Sequence, residues 1–461
     1  MAAAGSGAGL EVTRALASMV VDEPGGGFAP AAVEEVKRAL LDLLGVTVIG
    51  APEPAGRLAL EYARSQGATG PAAVIGGGVR LAPTFAALVN GTAGHALDLD
   101  DIGVGAGHVS VAVMPAVLAV AELTEATGAA FVDAMVLGYE VAHRLTRMYA
   151  DSISGPYASG YHKPSVYAMF GATAGAGRLL GLDRDELQRA FGIAASQAGG
   201  LRLNFGTMTK PFHAGLSCRT GVEAALLAKS GFTATEVAIE GRFGWHEVIC
   251  RNEGDLELVL SEPPPPYAVE EGLRYKPYPC CGANHHAIDA VIGLMAEHGL
   301  GRDDVAQVDV AIESRTLRDV LVYDWPVTGL EGKFSLAYNV AAAMVDGEVT
   351  VGTFADDHLA TLESARSRVH VVGRDDFPTR GADVTIRTVD GRTFHREQLV
   401  LRGDIEDPFT WDDLARKFRA NTSEFVKADD VEGVIDAIRH LDSAPSLRAI
   451  TEPLVGAPQS R

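Results

Sequence analysis

The chain has 461 residues, 47% apolar and 21% charged, with a formal net charge of −21 at pH 7. That length suits two or three domains, and the composition is that of a folded globular protein, not a disordered one. The acidic balance argues against nucleic acid and anionic membrane surfaces as partners, so any anion must be met by a local basic pocket.

Four cysteines, Cys218, Cys250, Cys280 and Cys281, are too few for a disulfide scaffold and point to a reducing cytoplasm. The opening MAAAGSGAGLEV lacks the basic and apolar regions of a secretory signal. The run from Val111 to Ala121 is too short to span a membrane and contains Pro115.

In chain order, residues 1–9 are Ala, Gly and Ser and are expected to lack fixed structure. Pro30 opens a helix whose Val33, Val36, Leu40, Leu43 and Leu44 follow the 3.6-residue period. Further helices are expected over 82–97, over 115–127 with a stop at Gly128, and over 131–149. After a Gly/Pro/Ser loop, the small residues of 165–181 imply helices packed very closely. Asp183 with Glu186 reads as a capping pair for a helix over 184–197. Thr233 with Glu236 repeats that signature, predicting a short helix closed by Gly241. Between 30 and 242 almost nothing but helix is expected.

The style changes after Pro263–Pro266. A helix over 284–298 precedes an alternating strand at 307–313, a strand at 368–373 and a hairpin around Asp390-Gly391. Helices return at 411–419 and 430–441 and are expected to pack back on the first block. The expected fold is mainly α, with the mixed α+β block inserted: 10–266 helical, 267–405 mixed, 406–455 returning.

Five stretches place ionisable groups where helices and strands do not ask for them. The first, NGTAGHALDLDDIGVGAGHVSVAVMP, carries His95, Asp98, Asp100, Asp101 and His108. On a continued helix Asp98 would share a face with His95 and with Asp101. The plain alternative is a solvated helix end. Tyr161-His162-Lys163-Pro164-Ser165 puts a histidine before a helix N-terminus, where anions are favoured. Lys210 and Lys276 each precede a proline, the latter beside Cys280, Cys281, His285 and His286. Lys333-Phe334-Ser335-Leu336-Ala337-Tyr338 sets a tyrosine among small apolar residues.

Neither the vicinal cysteines nor His285-His286 has zinc-ligand spacing, and the carboxylates between His95 and His108 would suit a hard cation only by accident. The absence of GxGxxG and Walker loops argues against nucleotide cofactors. No cofactor and no metal are therefore expected. The remaining His, Lys, Asp and Tyr suit removal of a proton next to a carboxylate, with lysines holding the anion.

These stretches resemble the MmgE/PrpD family. The matching runs are NGTAGHALDLDD, HVS before VMPAVLAVAE, GYEVAHRL, YHKPSVYAMFGATAGAGRLLGL, TKPFHAGLSCRTG, KPYPCCGANHHAIDA and GKFSLAYNVAAAMVDG, in family order. The resemblance implies a large helical domain with a smaller α+β lid, a cleft between them, and cofactor-free homodimers. Carried over residue by residue, Asp98, His108, His162, Lys210, Lys276 and Tyr338 match the family's site positions. The expected catalytic set is His108, His162, Asp98, Tyr338 and Lys210. Lys210, Lys276 and the neighbouring Cys281 are expected to bind substrate.

Two departures stand out: Val109 where the family usually has proline, and Ile102 where a threonine is common. The expected activity is a lyase or isomerase acting on a small di- or tricarboxylate, with dehydration of the 2-methylcitrate type first. Decarboxylation of the cis-aconitate type or epimerisation of the iminodisuccinate type are alternatives on the same scaffold. A carboxylate-binding protein without catalysis is the rival from another class.

Overall fold

A computed structural model describes residues 9–149, 154–261 and 264–456. The expected unstructured segment at 1–8 and the start of the proline run lie outside the described residues. The first core collects α1 (Val12–Asp22), α2 (Pro30–Gly50), α3 (Pro54–Ser65), α4 (Pro83–His95), α5 (Val109–Leu123), α6 (Gly128–Thr146), α7 (Ala168–Leu180), α8 (Arg184–Ala195) and α9 (Thr209–Lys229). It continues past the proline run through Tyr267, Val269, Leu273 and Tyr275. The architecture is mainly α, with a smaller α+β part.

The small residues of these helices let backbones touch. A Cβ on Gly171 of α7 would lie 2.4 Å from the Gly138 carbonyl oxygen of α6. A Cβ on Gly215 of α9 would lie 2.4 Å from the Leu88 carbonyl oxygen of α4. The α4–α9 contact matters for the site. It lays the C-terminal end of α4, His95, beside the N-terminal end of α9, Lys210.

Three expectations need correction. A hairpin, β1 (Ala72–Val74) with antiparallel β2 (Val79–Leu81), interrupts the helical block. Each strand is three residues, too short for a period to show. Distant side chains complete its hydrogen bonding: Ala73 N–H donates to Glu122 at 2.6 Å and Ile75 N–H to Asn90 Oδ1 at 2.9 Å.

The helix expected to begin at Pro115 begins at Val109, with Pro115 inside it. Proline lacks the N–H that Val111 O would accept. Cys218 Sγ donates there instead at 3.2 Å, and Ser217 Oγ donates to Ala112 O at 2.9 Å.

Residues 233–241 form no helix. They lie along α8, where Gln188 Nε2 donates to Glu236 O at 3.0 Å and Thr235 Oγ1 accepts from Val237 N. The Glu236 carboxylate, which would have completed the capping pair, stands 3.7 Å from Arg189 Nη1 of α8 instead. The pair Asp183/Glu186, in contrast, forms a full capping box on α8.

The second core begins at Cys280. It packs α10 (His285–His298) and α11 (Leu336–Val345) on a four-stranded sheet ordered β4-β3-β5-β6. Here β3 (Val305–Glu313) pairs parallel with β4 (Val369–Arg374) and antiparallel with β5 (Ala382–Thr388), and β5 pairs antiparallel with β6 (Thr393–Gln398). The chain then returns. α12 (Trp411–Thr422) and α13 (Ala428–Arg439) join the first core, and Phe418 sits against Gly45 where a Cβ would be 2.9 Å from its ring. No helix among the described residues is long and apolar enough to cross a membrane.

Candidate active site

Helix α4 stops at His95, and the chain turns through Asp98, whose φ is +54°. Aspartate tolerates that left-handed conformation better than most side chains. The turn overturns the continued-helix reading, because Asp98 and Asp101 now point to different places. The solvated-end reading fails too: His95, Asp98, Asp100 and Asp101 are each 3% exposed or less.

Asp98 lies between two ammonium groups. Lys210 Nζ donates to its Oδ2 at 2.9 Å, and Lys276 Nζ donates to its Oδ1 and, at 2.8 Å, to its carbonyl. Burial alone would raise the Asp98 pKa, but these lysines hold it well below the usual carboxylate range. Lys276 is correspondingly raised, its burial outweighed by Asp98 and Asp100.

Asp100 organises the histidines. His95 Nδ1 lies 2.8 Å from its Oδ1 and His108 Nδ1 lies 2.9 Å from its Oδ2. Burial pushes His108 down to about 3 against the pull of Asp100, and burial also lowers His95, so both rings are neutral at pH 7. Asp100 is itself kept well below the usual range, despite burial, by the two rings. A carboxylate only accepts, so each neutral ring donates its Nδ1–H to Asp100 and keeps its lone pair on Nε2. The lone pair of His95 takes the Lys210 ammonium at 2.8 Å. That of His108 meets no donor among the described residues and lies 3.6 Å from Asp98 Oδ1.

His162 stacks behind them, 5.9 Å from His95 and 6.3 Å from His108 between ring centres, with its Nδ1 3.3 Å from His213 Nδ1. Burial and Lys210 hold His162 well below its ordinary pKa, and burial takes His213 to about 4. Lys333 donates to Leu97 O at 3.0 Å and Pro279 O at 2.9 Å, and its burial lowers it to about 8.

A cavity of about 240 Å³ opens against this cluster. Its wall includes Ile102, His108, Lys276 and Cys281 from one side and Ile312, Arg380 and Asp404 from the mixed part. That volume is below the drug-sized range and suits a small acid. Cys281 is a neutral thiol, its pKa raised by burial.

The structure thus brings together Asp98, His108, His162, Lys210 and Lys276, with Cys281 on the cavity wall. It does not bring in Tyr338. Ser335 caps α11, and Tyr338, one turn on, donates its hydroxyl to Thr353 O at 2.6 Å inside the second core. That expectation is corrected: Tyr338 packs within the second core. Lys333, five residues earlier, reaches the cluster instead. His95 and Asp100 are equally central, and the alternation Asp98-Leu99-Asp100, which is not helical, was the signal that could have separated them from Asp101.

Donor atoms of His95, Asp98, Asp100 and His108 lie within 4.8 Å of one another, a set that could hold a cation. All of these atoms but His108 Nε2 are already engaged. Lys210 occupies His95 Nε2 and Asp98 Oδ2, Lys276 occupies Asp98 Oδ1, and both Nδ1 atoms face Asp100. A divalent ion would have to sit against two ammonium groups. The donor set fits the lysines, not a metal.

Asp101 behaves in the opposite way to its neighbours. Burial, with Asp42 and Asp100 nearby, raises its pKa well above the usual range, and its Oδ2 has no hydrogen-bond partner among the described residues. A carboxyl that is raised in the fold opposes folding increasingly as pH climbs above its unfolded value of about 4. Asp101→Asn removes that cost. Its Tm at pH 7 is expected to exceed wild type by about 1–3 °C, with the difference vanishing toward pH 4, as read by calorimetry.

Comparison with known proteins agrees with this layout. Residues 14–256 match the MmgE/PrpD N-terminal domain and residues 278–443 the MmgE/PrpD C-terminal domain. The chain belongs to the MmgE/PrpD family. Among its relatives is the cis-aconitate decarboxylase of Homo sapiens, 27% identical over 468 residues, which cover 96% of this chain and 95% of that protein. The Mus musculus cis-aconitate decarboxylase is 28% identical, with 96% and 93% covered, and that of Aspergillus terreus 26%, with 92% and 91% covered.

Proposed function

We propose that the protein is a carboxylate lyase that decarboxylates a small unsaturated tricarboxylate of the cis-aconitate type. The observation that carries the reading is Asp100 fixing His108 so that its free Nε2 stands on a cavity beside Lys276. The full-length relatives named as decarboxylases favour loss of CO2 over the dehydration that the sequence alone put first.

The chemistry needs little machinery. The carboxylate that leaves sits on a carbon adjacent to a C=C bond. As its C–C bond breaks, that electron pair forms a new C=C bond and the old π pair takes a proton at the far alkene carbon. One proton is consumed, CO2 departs, and a trianion becomes a dianion. Lys276, whose three N–H groups go to Asp98 and to Cys280 O, draws a carboxylate that stays by its charge. Negative charge arriving beside His108 raises its proton affinity against the effect of burial, so the ring can carry the proton to carbon.

The test is NMR of the protein with cis-aconitate in deuterated water. Appearance of CO2 with a new terminal alkene, and one deuterium at the far carbon, is the expected result. Water gained or lost without CO2 would return the reading to a hydro-lyase. Deuterium exchange alone would indicate an epimerase, and binding without change a carboxylate-binding protein.

A further inference from the structure

The same cavity has a second basic wall that the reaction above does not use. Asp404, 4% exposed, accepts from Arg274 Nε at 2.6 Å through Oδ1 and from Arg380 Nη2 through Oδ2, while Ile405 N–H also donates to Oδ1 at 2.9 Å. Each guanidinium spends one nitrogen on this contact and has no other hydrogen bond among the described residues, and the three charges sum to +1. Arg274, Arg380 and Asp404 all line the cavity.

An independent feature stands on the same wall. His286, 3% exposed, lines the cavity, and its Nε2 has no hydrogen-bond partner among the described residues. It lies in the first turn of α10, a 14-residue helix whose N-terminal end favours negative charge. The other ring nitrogen of His286 is hydrogen-bonded to the Leu399 backbone, and burial and Arg380 lower its pKa to about 4, so Nε2 meets a carboxylate by taking up a proton, which an arriving anion favours.

The geometry points to a second carboxylate subsite made of Arg274, Arg380 and His286, with Asp404 as the positioning residue that holds the two guanidiniums. It rests on the reading of the protein as a polycarboxylate lyase and adds its specificity. One carboxylate of the substrate meets Lys276 at the reacting end, and another meets the arginines. Acids without a group to place there bind weakly.

A purely structural role for the Arg–Asp–Arg contact predicts weaker binding only in step with lost stability. The experiment is titration calorimetry of wild type, Arg380→Gln and Arg380→Lys with two inert acids, propane-1,2,3-tricarboxylate and glutarate, beside the melting temperature of each. Arg380 is half-exposed, so its replacement leaves the cores intact. The expected result is a Kd for the tricarboxylate raised about 10–100-fold in Arg380→Gln, since a charged hydrogen bond contributes about 1.5–3 kcal/mol. Partial recovery in Arg380→Lys, a similar loss for glutarate, which can place its second carboxylate on the same arginines, and an unchanged Tm complete the expectation. A tricarboxylate Kd equal to wild type, or a loss that follows a fallen Tm and is not recovered in Arg380→Lys, overturns the subsite while wild-type turnover of cis-aconitate leaves the lyase reading standing. Wild type binding neither acid overturns both.

Discussion

Asp100→Asn is expected to lower kcat by about 10²–10⁴-fold while the protein stays folded, an effect of the size seen when a histidine in an active site loses its orienting carboxylate. The change is isosteric, so the pocket around residue 100 keeps its volume. What changes is the proton inventory. A carboxylate accepts from both His95 Nδ1 and His108 Nδ1; an amide accepts with one atom and donates with the other. One imidazole must therefore turn its Nδ1 into an acceptor and move its proton to Nε2. His95 resists this, because its Nε2 lies 2.8 Å from the Lys210 ammonium and an N–H there would face another donor. The switch falls on His108, and the lone pair that faces the cavity is lost. Steady-state kinetics with the substrate that the NMR experiment identifies, beside a melting curve, measure both halves. A kcat within tenfold of wild type would mean that His108 does not work through the tautomer that Asp100 imposes.

Most of the architecture was legible because it depends on local pattern. The apolar period of α2, the capping pair at Asp183 and Glu186, the hairpin β5–β6 around Asp390-Gly391 and the return of α12 and α13 all follow from residues close in sequence. What could not be read depends on partners far along the chain. Helix α5 runs through Pro115 because Ser217 and Cys218, about a hundred residues later, attend the carbonyls Ala112 O and Val111 O. The segment 233–241 is irregular, lying where α8 offers Gln188 and Gly192 to receive it.

The site was legible in a similar measure. Asp98, His108, His162, Lys210 and Lys276 stood out as charged or titratable groups inside apolar or small-residue runs, and the fold gathers them. The division of labour among the aspartates did not stand out, because one residue of positive φ decides it. With Asp98 turned left-handed, Asp98 serves the lysines, Asp100 serves the histidines, and Asp101 is turned back toward Ser110 N–H at 3.4 Å. Tyr338 shows the converse. Its motif was informative, but the informative residue was Lys333, on the other side of the Ser335 cap.

Asp98→Asn is expected to destabilise the protein by about 3–5 kcal/mol at pH 7, the range for removing one partner of a buried ion pair. Asparagine tolerates the left-handed backbone, so strain at φ +54° does not contribute. The cost is electrostatic. Lys210 and Lys276 lose their shared counter-charge in a site where neither is more than a few per cent exposed. The pH dependence separates this from a packing effect. The folded pKa of Asp98 is depressed, so its contribution is fully present above the unfolded value of about 4 and is lost as pH falls through the folded value below it. The gap between wild type and variant is therefore widest at neutral pH and narrows below about pH 4. Urea unfolding at pH 7 and pH 3 reads that gap directly. An equal gap at both values would assign the loss to shape, and the two lysines would then have to be neutral, a state in which neither could hold a substrate carboxylate.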